Sequence, residues 1–113
     1  MGLILLKRQS NIWVQKIYLL GFNMLKILED LILLARERKT NPVIGSYTNK
    51  LLEDKSLAKE KVLEEVNELI ESVEKNSNKI HEAADVLYHL TIYLEANGIK
   101  MENIMDELSS RKK

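Results

Sequence analysis

The sequence contains no cysteine, one proline and only four glycines among its 113 residues. The absence of cysteine excludes disulfide bonds, thiolate metal ligands and a cysteine nucleophile, and it fits a cytoplasmic protein. So few helix-breaking residues, with only 5% aromatic residues, favour long helices over many strands joined by turns. We therefore expect a single all-α domain.

An excess of charge of one sign is also lacking. Seventeen basic and seventeen acidic residues cancel, so no overall field would attract nucleic acid or a membrane surface, and we expect neither as a partner. The apolar runs near the N-terminus are short and are interrupted by Lys7, Arg8 and Lys16. We therefore expect neither a membrane span nor a signal peptide.

The first 23 residues differ in composition from the rest of the chain. They contain three basic residues, no acidic residue, and the only Trp and Phe, whereas residues 24–113 carry 14 basic and 17 acidic residues. The first regular helical pattern begins at Met24. We expect residues 1–23 to be an extension outside a catalytic domain that spans 24–113. The alternative is an amphipathic segment that covers a partner.

Apolar residues recur at three- and four-residue steps over most of residues 24–113, which indicates helices. In chain order, the pattern predicts a helix over about 24–39, a break at Pro42 and Gly45, and a short helix through Leu52 that is capped by Ser46 or Thr48. A long helix should follow from a Ser56 cap to about Lys75. The next helix should run from Lys79 to Ala96 and stop at Gly98, and a short C-terminal helix should complete the chain.

The two longest predicted helices are joined by a short polar turn and should form an antiparallel hairpin. Their expected core stripes are Val62, Val66, Leu69 and Val73 on the first and Ala83, Leu87, Leu90 and Leu94 on the second. The second helix has more apolar perimeter than one hairpin can cover. We therefore expect a small helical bundle built around the hairpin and completed by homodimerisation.

Carboxylates also recur on the hairpin, where helices should be burying apolar surface. A carboxylate on a covered face is costly unless it is paired or bound to a metal. The hairpin can place Glu65 and Glu68 opposite Glu82 and Asp85. A purely oxygen ligand set favours Mg²⁺ or Mn²⁺ over Zn²⁺. We expect His89, on the same face, to be a buried, hydrogen-bonded residue that supports the ligands.

A solvated, ion-paired helix face is the alternative interpretation of these acids. Glu64, Glu68 and Glu71 alternate with Lys61 and Lys75, as exposed i,i+3 and i,i+4 pairs do. In that case the chain would be a non-catalytic helical dimerisation module.

Four ordered motifs resemble a known family. "EEVNE", thirteen residues and then "EAAD" resemble the acidic signature of the all-α nucleoside triphosphate pyrophosphohydrolases, the MazG-like superfamily. The stretches "GSYTNKLL", "KVLEEVNE", "EAADVLYHL" and "LSSR" are more similar to the phosphoribosyl-ATP pyrophosphohydrolases of histidine biosynthesis. Leu63 and Asn67 depart from the family pattern without removing an acid of the signature. Because no segment resembles a cyclohydrolase, we expect the single-activity form.

The resemblance implies Mg²⁺-dependent hydrolysis of phosphoribosyl-ATP to phosphoribosyl-AMP and pyrophosphate, by a homodimer. It implies metal ligation by Glu65, Glu68, Glu82 and Asp85 and catalytic roles for Glu64, Glu65 and Glu68, with Glu64 either a further ligand or the base that orients water. Among cations, Lys61 is the first candidate for phosphate binding, followed by Arg38, Lys39 and Arg111. Ser46, Tyr47 and Thr48 would line the substrate pocket. A house-cleaning hydrolase of dUTP, dCTP or damaged nucleotides is the enzymatic alternative.

Overall fold

The computed structural model describes residues 24–112, and these residues form five helices and no strand. The helices are α1 (Lys26–Thr40), α2 (Tyr47–Glu53), α3 (Lys55–Lys75), α4 (Lys79–Ala96) and α5 (Met101–Ser110). The prediction of an all-α fold is confirmed. The predicted extension, residues 1–23, lies outside the described residues. No helix within 24–112 is long and apolar enough to span a membrane.

Contacts between backbone positions divide the chain into two units, Met1–Asp30 and Leu31–Lys113. In the first unit the described residues form the beginning of α1, where Lys26 and Asp30 make an exposed i,i+4 ion pair of 3.1 Å. The second unit contains the rest of α1 and all of α2 to α5.

Two side chains start the helices α2 and α3. The Ser46 hydroxyl accepts a hydrogen bond from the backbone N–H of Asn49, which selects Ser46 over Thr48 as the cap. Asp54 follows α2 directly, and its carboxylate accepts from the N–H of Leu57 at 3.0 Å. The prediction of Ser56 as the cap of α3 is wrong, because Asp54 already satisfies the first free N–H groups two residues earlier.

The ends of the hairpin helices are formed by residues that tolerate positive φ. Asn76 and Asn78, in the turn between α3 and α4, have φ values of 52° and 54°, a conformation that asparagine adopts more readily than most residues. Gly98 has φ 70°, and the N–H groups of Gly98 and Ile99 donate to the carbonyls of Glu95 and Leu94. This Schellman arrangement ends α4 where the sequence predicted.

The core of the second unit lies where α1 and α2 meet the hairpin. Its fully buried members are Ala35, Leu51, Ala58 and Ile92, one from each of α1 to α4. The two alanines leave room for the larger Leu51 and Ile92, and the closest helix approaches are those among α2, α3 and α4. α2 packs against both α3 and α4.

The predicted core stripes are partly wrong. Val73, Leu87 and Leu90 are exposed by 57%, 53% and 37%, although their spacing is that of a buried stripe. The face of α4 that the chain itself buries contains His89, Thr91, Ile92, Glu95 and Ala96. The periodicity therefore identified an apolar face of α4 correctly, but this face is not the one that the chain itself buries.

Candidate metal centre

Three carboxylates from the two hairpin helices converge on one place. One carboxylate oxygen from each of Glu65, Glu68 and Glu82 lies within 4.8 Å of the other two. Glu65 and Glu68 are one helical turn apart on α3, and the antiparallel α4 brings Glu82 against them. The structure thus assembles three of the four predicted metal ligands from segments separated by thirteen residues.

Glu65, Glu68 and Glu82 form a carboxylate cluster that is partly removed from solvent. Glu65 is only 8% exposed, and the Oε2 atoms of Glu65 and Glu82 are buried without a hydrogen-bond partner among the described residues. A buried carboxylate oxygen without a donor loses its hydration and gains nothing in return. A divalent cation would satisfy both oxygens, so the residues present fit a hard metal ion.

The proton affinities of the cluster reflect this crowding. Burial raises the pKa of the Glu65 carboxyl, and the neighbouring Glu68 and Asp85 carboxylates raise it further, whereas the His89 imidazole would lower it in its protonated form. Burial also raises the pKa of Glu82, followed by Glu68 and Asp85, while His81 lowers it. Glu68 and Asp85 thus act on both raised carboxyls, so the charge of Asp85 is close enough to influence Glu65 and Glu82.

Asp85, the fourth predicted ligand, belongs to a second group that shares Glu82. One ligand atom from each of His81, Glu82 and Asp85 lies within 4.8 Å of the others. His81 Nε2 is 3.4 Å from Asp85 Oδ2, one turn along α4. His81 is a member that the sequence analysis did not select, although its i,i+4 spacing from Asp85 is visible in "HEAAD".

His89 connects the metal side of α4 to the start of α2. It is 7% exposed, with Nδ1 2.8 Å from the Asp85 carbonyl oxygen and Nε2 2.9 Å from the Tyr47 hydroxyl. A carbonyl oxygen only accepts hydrogen bonds, so Nδ1 of the neutral imidazole carries the hydrogen and Nε2 accepts from Tyr47. His89 is therefore the buried, hydrogen-bonded residue that the sequence suggested.

The segment predicted to line the substrate pocket is fixed from several sides. Thr48 and the Tyr88 hydroxyl are 2.5 Å apart, and Arg38 donates to the Ser46 hydroxyl at 2.7 Å. The buried Asn49 donates to the Arg38 carbonyl and accepts from the N–H of Val43. The segment also borders a cavity of about 510 Å³, lined by residues 42–47 together with Asn49, Lys50 and Glu53.

The predicted phosphate-binding cations lie in different places. Lys61 pairs with Glu64 at 3.3 Å. Burial is the main cause that raises the pKa of the Tyr47 phenol; the charge of Lys61 lowers this pKa, and the charges of Glu65 and Glu64 raise it. Lys61 and Glu64 are thus close enough to Tyr47 for their charges to affect its pKa. Lys39 instead donates to the carbonyl of Glu95.

Arg111 and Glu64 are the remaining predicted site residues. Arg111 pairs with Glu107 at 2.8 Å at the end of α5. Glu64 is not a member of either ligand group among the described residues. Binding of phosphate by Lys39 and Arg111, and the role of Glu64, therefore stay predictions.

One partly buried ion-pair network was not found from the sequence. Arg36 donates to both oxygens of Glu95, at 3.2 Å each, and to both oxygens of Glu102, at 2.6 and 2.9 Å. The Glu95 side chain is 6% exposed. These three residues join α1, α4 and α5, and their sequence separations of 59 and 66 residues leave no local signal.

Comparisons with known proteins bear on the same residues. Residues 28–112 match the sequence profile of a family described as phosphoribosyl-ATP pyrophosphohydrolase. The chain belongs to this family. The match contains all four carboxylates of the site, and it confirms the resemblance drawn from the four motifs.

Curated relatives agree with the family assignment. The chain is 44% identical over 92 residues to a phosphoribosyl-ATP pyrophosphatase of Clostridium acetobutylicum, covering 76% of this chain and 81% of that protein. It is 42% identical over 88 residues to the phosphoribosyl-ATP pyrophosphatase of Leuconostoc mesenteroides, covering 74% and 75%. It is also 41% identical over 92 residues to a histidine biosynthesis bifunctional protein of Pyrococcus furiosus, covering 79% of this chain but only 43% of the relative.

Proposed function

We propose that this member of the phosphoribosyl-ATP pyrophosphohydrolase family hydrolyses phosphoribosyl-ATP to phosphoribosyl-AMP and pyrophosphate, the second step of L-histidine biosynthesis, with Mg²⁺ as its cofactor and Mn²⁺ as a substitute. The observation that carries the proposal is the pair of buried carboxylate oxygens, on Glu65 and Glu82, that have no hydrogen-bond partner among the described residues. A solvated acidic face would leave these oxygens in water, and a structural face would pair them.

Glu65, Glu68, Glu82 and Asp85 would hold the metal ion. When bound, Mg²⁺ supplies Lewis-acid polarisation of phosphoryl oxygens and neutralises the charge that develops on pyrophosphate. Carboxylates suit this ion because Mg²⁺ accepts few protein ligands and shares its shell with substrate phosphates. The burial of Glu65 gives the site a rigid inner wall, and the exposed Glu68 leaves an open side for the triphosphate.

Glu64 is the base in this proposal. It is exposed on α3 next to Glu65, where it can orient a water molecule toward the α-phosphorus and accept its proton. The water oxygen forms the new bond to the α-phosphorus, and the bond from that phosphorus to the bridging oxygen breaks. Pyrophosphate leaves with the electron pair of that bond.

Lys61 and the segment Ser46, Tyr47 and Thr48 are proposed to hold the substrate. The ammonium group of Lys61 can exchange its exposed partner Glu64 for a phosphate oxygen at little cost, because exposed ion pairs are weak. The cavity beside the segment is lined mainly by apolar and backbone groups of residues 42–47, which suits a flat base or a ribose. Arg38 supports the segment through Ser46.

The protein is proposed to act as a homodimer in the cytoplasm. α3 exposes Leu63, Ile70 and Val73, and α4 exposes Ile80 and Leu87, each between 53% and 88%. Their spacing of three or seven residues makes an apolar stripe along each hairpin helix. A second copy with the same stripes is self-complementary under a two-fold axis.

A pyrophosphate-release assay on phosphoribosyl-ATP, with and without Mg²⁺, tests the proposed activity. Parallel assays on dUTP and dCTP separate it from a house-cleaning hydrolase, which would prefer those nucleotides. We expect Mg²⁺-dependent release from phosphoribosyl-ATP at a kcat/KM well above that for either deoxynucleotide. If no nucleotide is hydrolysed and no Mg²⁺ binds, the chain is a helical dimerisation module instead.

A further inference from the structure

We propose that His81, Glu82 and Asp85 form a mixed nitrogen–oxygen metal site that takes Zn²⁺ in preference to Mg²⁺. The inference extends the proposed function, since Glu82 and Asp85 are shared with the Mg²⁺ site. The new element is His81, which makes this side of the cluster chemically different from the oxygen-only side at Glu65 and Glu68.

The spacing of the three residues suits a metal ion bound to one helix. His81 and Asp85 are four residues apart on α4, so their side chains project from the same face, as ligand pairs at i and i+4 do in helical zinc sites. His81 Nε2 and Asp85 Oδ2 are 3.4 Å apart. Two ligands at about 2.0–2.1 Å from a tetrahedral zinc ion lie roughly 3.4 Å from each other, so no large side-chain rearrangement is needed.

A second observation points to a cation at the same place. The Oε2 atom of Glu82, the residue between the two, is buried without a hydrogen-bond partner among the described residues. Oε2 of Glu65, which is more than nine-tenths buried, has no partner in the described part of the chain either, and it lies in the neighbouring group that shares Glu82. The site is also open on one side, because the His81 side chain is 72% exposed and the Asp85 side chain 36%, which leaves a route for an ion from solvent.

The neighbouring lysines do not occupy the place of a metal ion, because their side chains bind other groups. Lys79, at the start of α4, donates to the Asn76 side chain, and Lys75 pairs with Glu71. The His81 imidazole is therefore the group in contact with Asp85. As a neutral imidazole it offers a lone pair to a metal ion, which an ammonium group cannot do.

Ligand chemistry decides which ion the site prefers. Imidazole is a good ligand for Zn²⁺, Co²⁺ and Ni²⁺, whereas Mg²⁺ favours carboxylate and water oxygens. A Zn²⁺ ion on His81 takes Glu82 and Asp85 away from Mg²⁺. Zinc at low concentration should therefore inhibit Mg²⁺-dependent turnover, and His81 should determine the concentration at which it does so.

The test uses the full chain after removal of metal ions. Zn²⁺ affinity is measured by competition with a chromophoric chelator, Mg²⁺ affinity by calorimetry, and Co²⁺ is added as a spectroscopic probe whose visible absorption is intense only at low coordination number. The wild type is compared with His81→Ala and with His81→Gln, which keeps a side chain able to donate to Asp85. Glu74→Gln, an exposed acid of α3 outside both ligand groups, controls for zinc bound by surface carboxylates.

We expect His81→Ala and His81→Gln to weaken Zn²⁺ binding by about tenfold or more, because the loss of even a group that only supports a ligand costs about 10- to 100-fold in metal affinity. Both should lose the intense Co²⁺ spectrum and leave Mg²⁺ affinity within about twofold of the wild type, while Glu74→Gln should change nothing. Equal Zn²⁺ affinities in wild type and His81→Ala would overturn the proposal while Mg²⁺-dependent hydrolysis stands. If the wild type binds neither ion, both the zinc site and the proposed function are wrong.

Discussion

The Tyr47 hydroxyl donates a hydrogen bond to Nε2 of the buried His89 at 2.9 Å, which ties the first residue of α2 to the middle of α4. The opposite ring nitrogen donates to the carbonyl of Asp85, one turn earlier. A single imidazole therefore links the proposed substrate segment to the backbone of a proposed metal ligand. Because both its nitrogens are occupied, the ring orientation is fixed.

Removing this link should lower activity without weakening metal binding. Tyr47→Phe leaves the Nε2 acceptor of His89 buried without a donor and loosens the segment that precedes Thr48. We expect kcat/KM for phosphoribosyl-ATP to fall by about tenfold, equivalent to about 1.4 kcal/mol of transition-state stabilisation, with Mg²⁺ affinity unchanged. Steady-state kinetics and calorimetry measure the two quantities.

Tyr93→Phe is the matched control for Tyr47→Phe. Tyr93 packs against the core of the second unit, and its hydroxyl makes no hydrogen bond within residues 24–112. This substitution should leave kcat/KM near the wild-type value. A wild-type kcat/KM in Tyr47→Phe would show that the link to His89 does not position the substrate.

Neutralising one carboxylate of the site should abolish turnover and preserve the fold. Glu68→Gln and Asp85→Asn each keep the size of the side chain but remove a charge that the metal requires. Each also relieves repulsion in the metal-free protein, so thermal stability without metal should be equal to or above that of the wild type. Near-wild-type activity of either variant at saturating Mg²⁺ would remove that residue from the ligand set.

Arg36 should be a determinant of stability rather than of catalysis. Truncation in Arg36→Ala leaves Glu95, whose side chain is 6% exposed, buried without its partner. Breaking a fully buried pair costs about 3–5 kcal/mol, and because the Arg36 side chain is 32% exposed we expect about 2 kcal/mol here, a fall in Tm of roughly 10 °C for a domain of this size. Thermal unfolding at fixed protein concentration measures the effect.

Lys75→Ala provides the comparison for Arg36→Ala, because Lys75 pairs with Glu71 on the surface. It should shift Tm by no more than the error of the measurement. The double variant Arg36→Met, Glu95→Leu should recover much of the lost stability, since it replaces the pair by apolar groups. Equal effects of Arg36→Ala and Lys75→Ala would show that the buried pair contributes nothing special.

Deprotonation of Glu65 and Glu82 should cost the metal-free protein stability as the pH rises above the ordinary range of glutamate. The pKa values of Glu65 and Glu82 are raised in the fold, so above about pH 4.3 these two groups bind more protons in the folded state than in the unfolded chain. Their contribution to the free energy of unfolding then falls with rising pH through the window between the ordinary and the raised pKa values. Urea unfolding in EDTA, from pH 4 to 8, measures the slope.

Glu65→Gln isolates the contribution of the cluster to this slope. Other groups titrate in the opposite sense, such as Glu102, whose pKa is lowered to about 2 by its hydrogen bonds from Arg36. The difference between wild type and Glu65→Gln cancels them. We expect the variant to gain stability relative to the wild type as the pH rises, and a difference independent of pH would contradict the shared site.

The helices and the convergence of acids could be predicted from the sequence because both depend on local periodicity. The cap of α2, the bounds of α4 and its end at Gly98 follow from residue types at fixed offsets. Glu65, Glu68 and Glu82 meet because a short turn forces α3 and α4 to be antiparallel neighbours. Predictions were therefore reliable where they depended on neighbouring residues or on two helices that a short turn joins.

What the sequence did not predict depends on choices between equivalent surfaces. The stripe containing Leu87 and Leu90 has the same spacing as a core stripe, but α1 and α2 pack on the other side of α4, against Ile92. The ion pair of Arg36 and Glu95 joins residues that are 59 positions apart in the sequence. Periodicity carries no information about which of two apolar faces a distant helix will cover.

The central claim, that the four carboxylates form a metal site, is tested most directly by thermal unfolding as a function of Mg²⁺ at constant ionic strength. A cation that binds only the folded arrangement stabilises it by about 2.7 kcal/mol at a hundred times its dissociation constant. Tm should therefore rise with millimolar Mg²⁺ or Mn²⁺ in the wild type and stay constant in the double variant Glu68→Gln, Asp85→Asn. A wild-type Tm insensitive to both ions, or an equal rise in the double variant, would contradict the account.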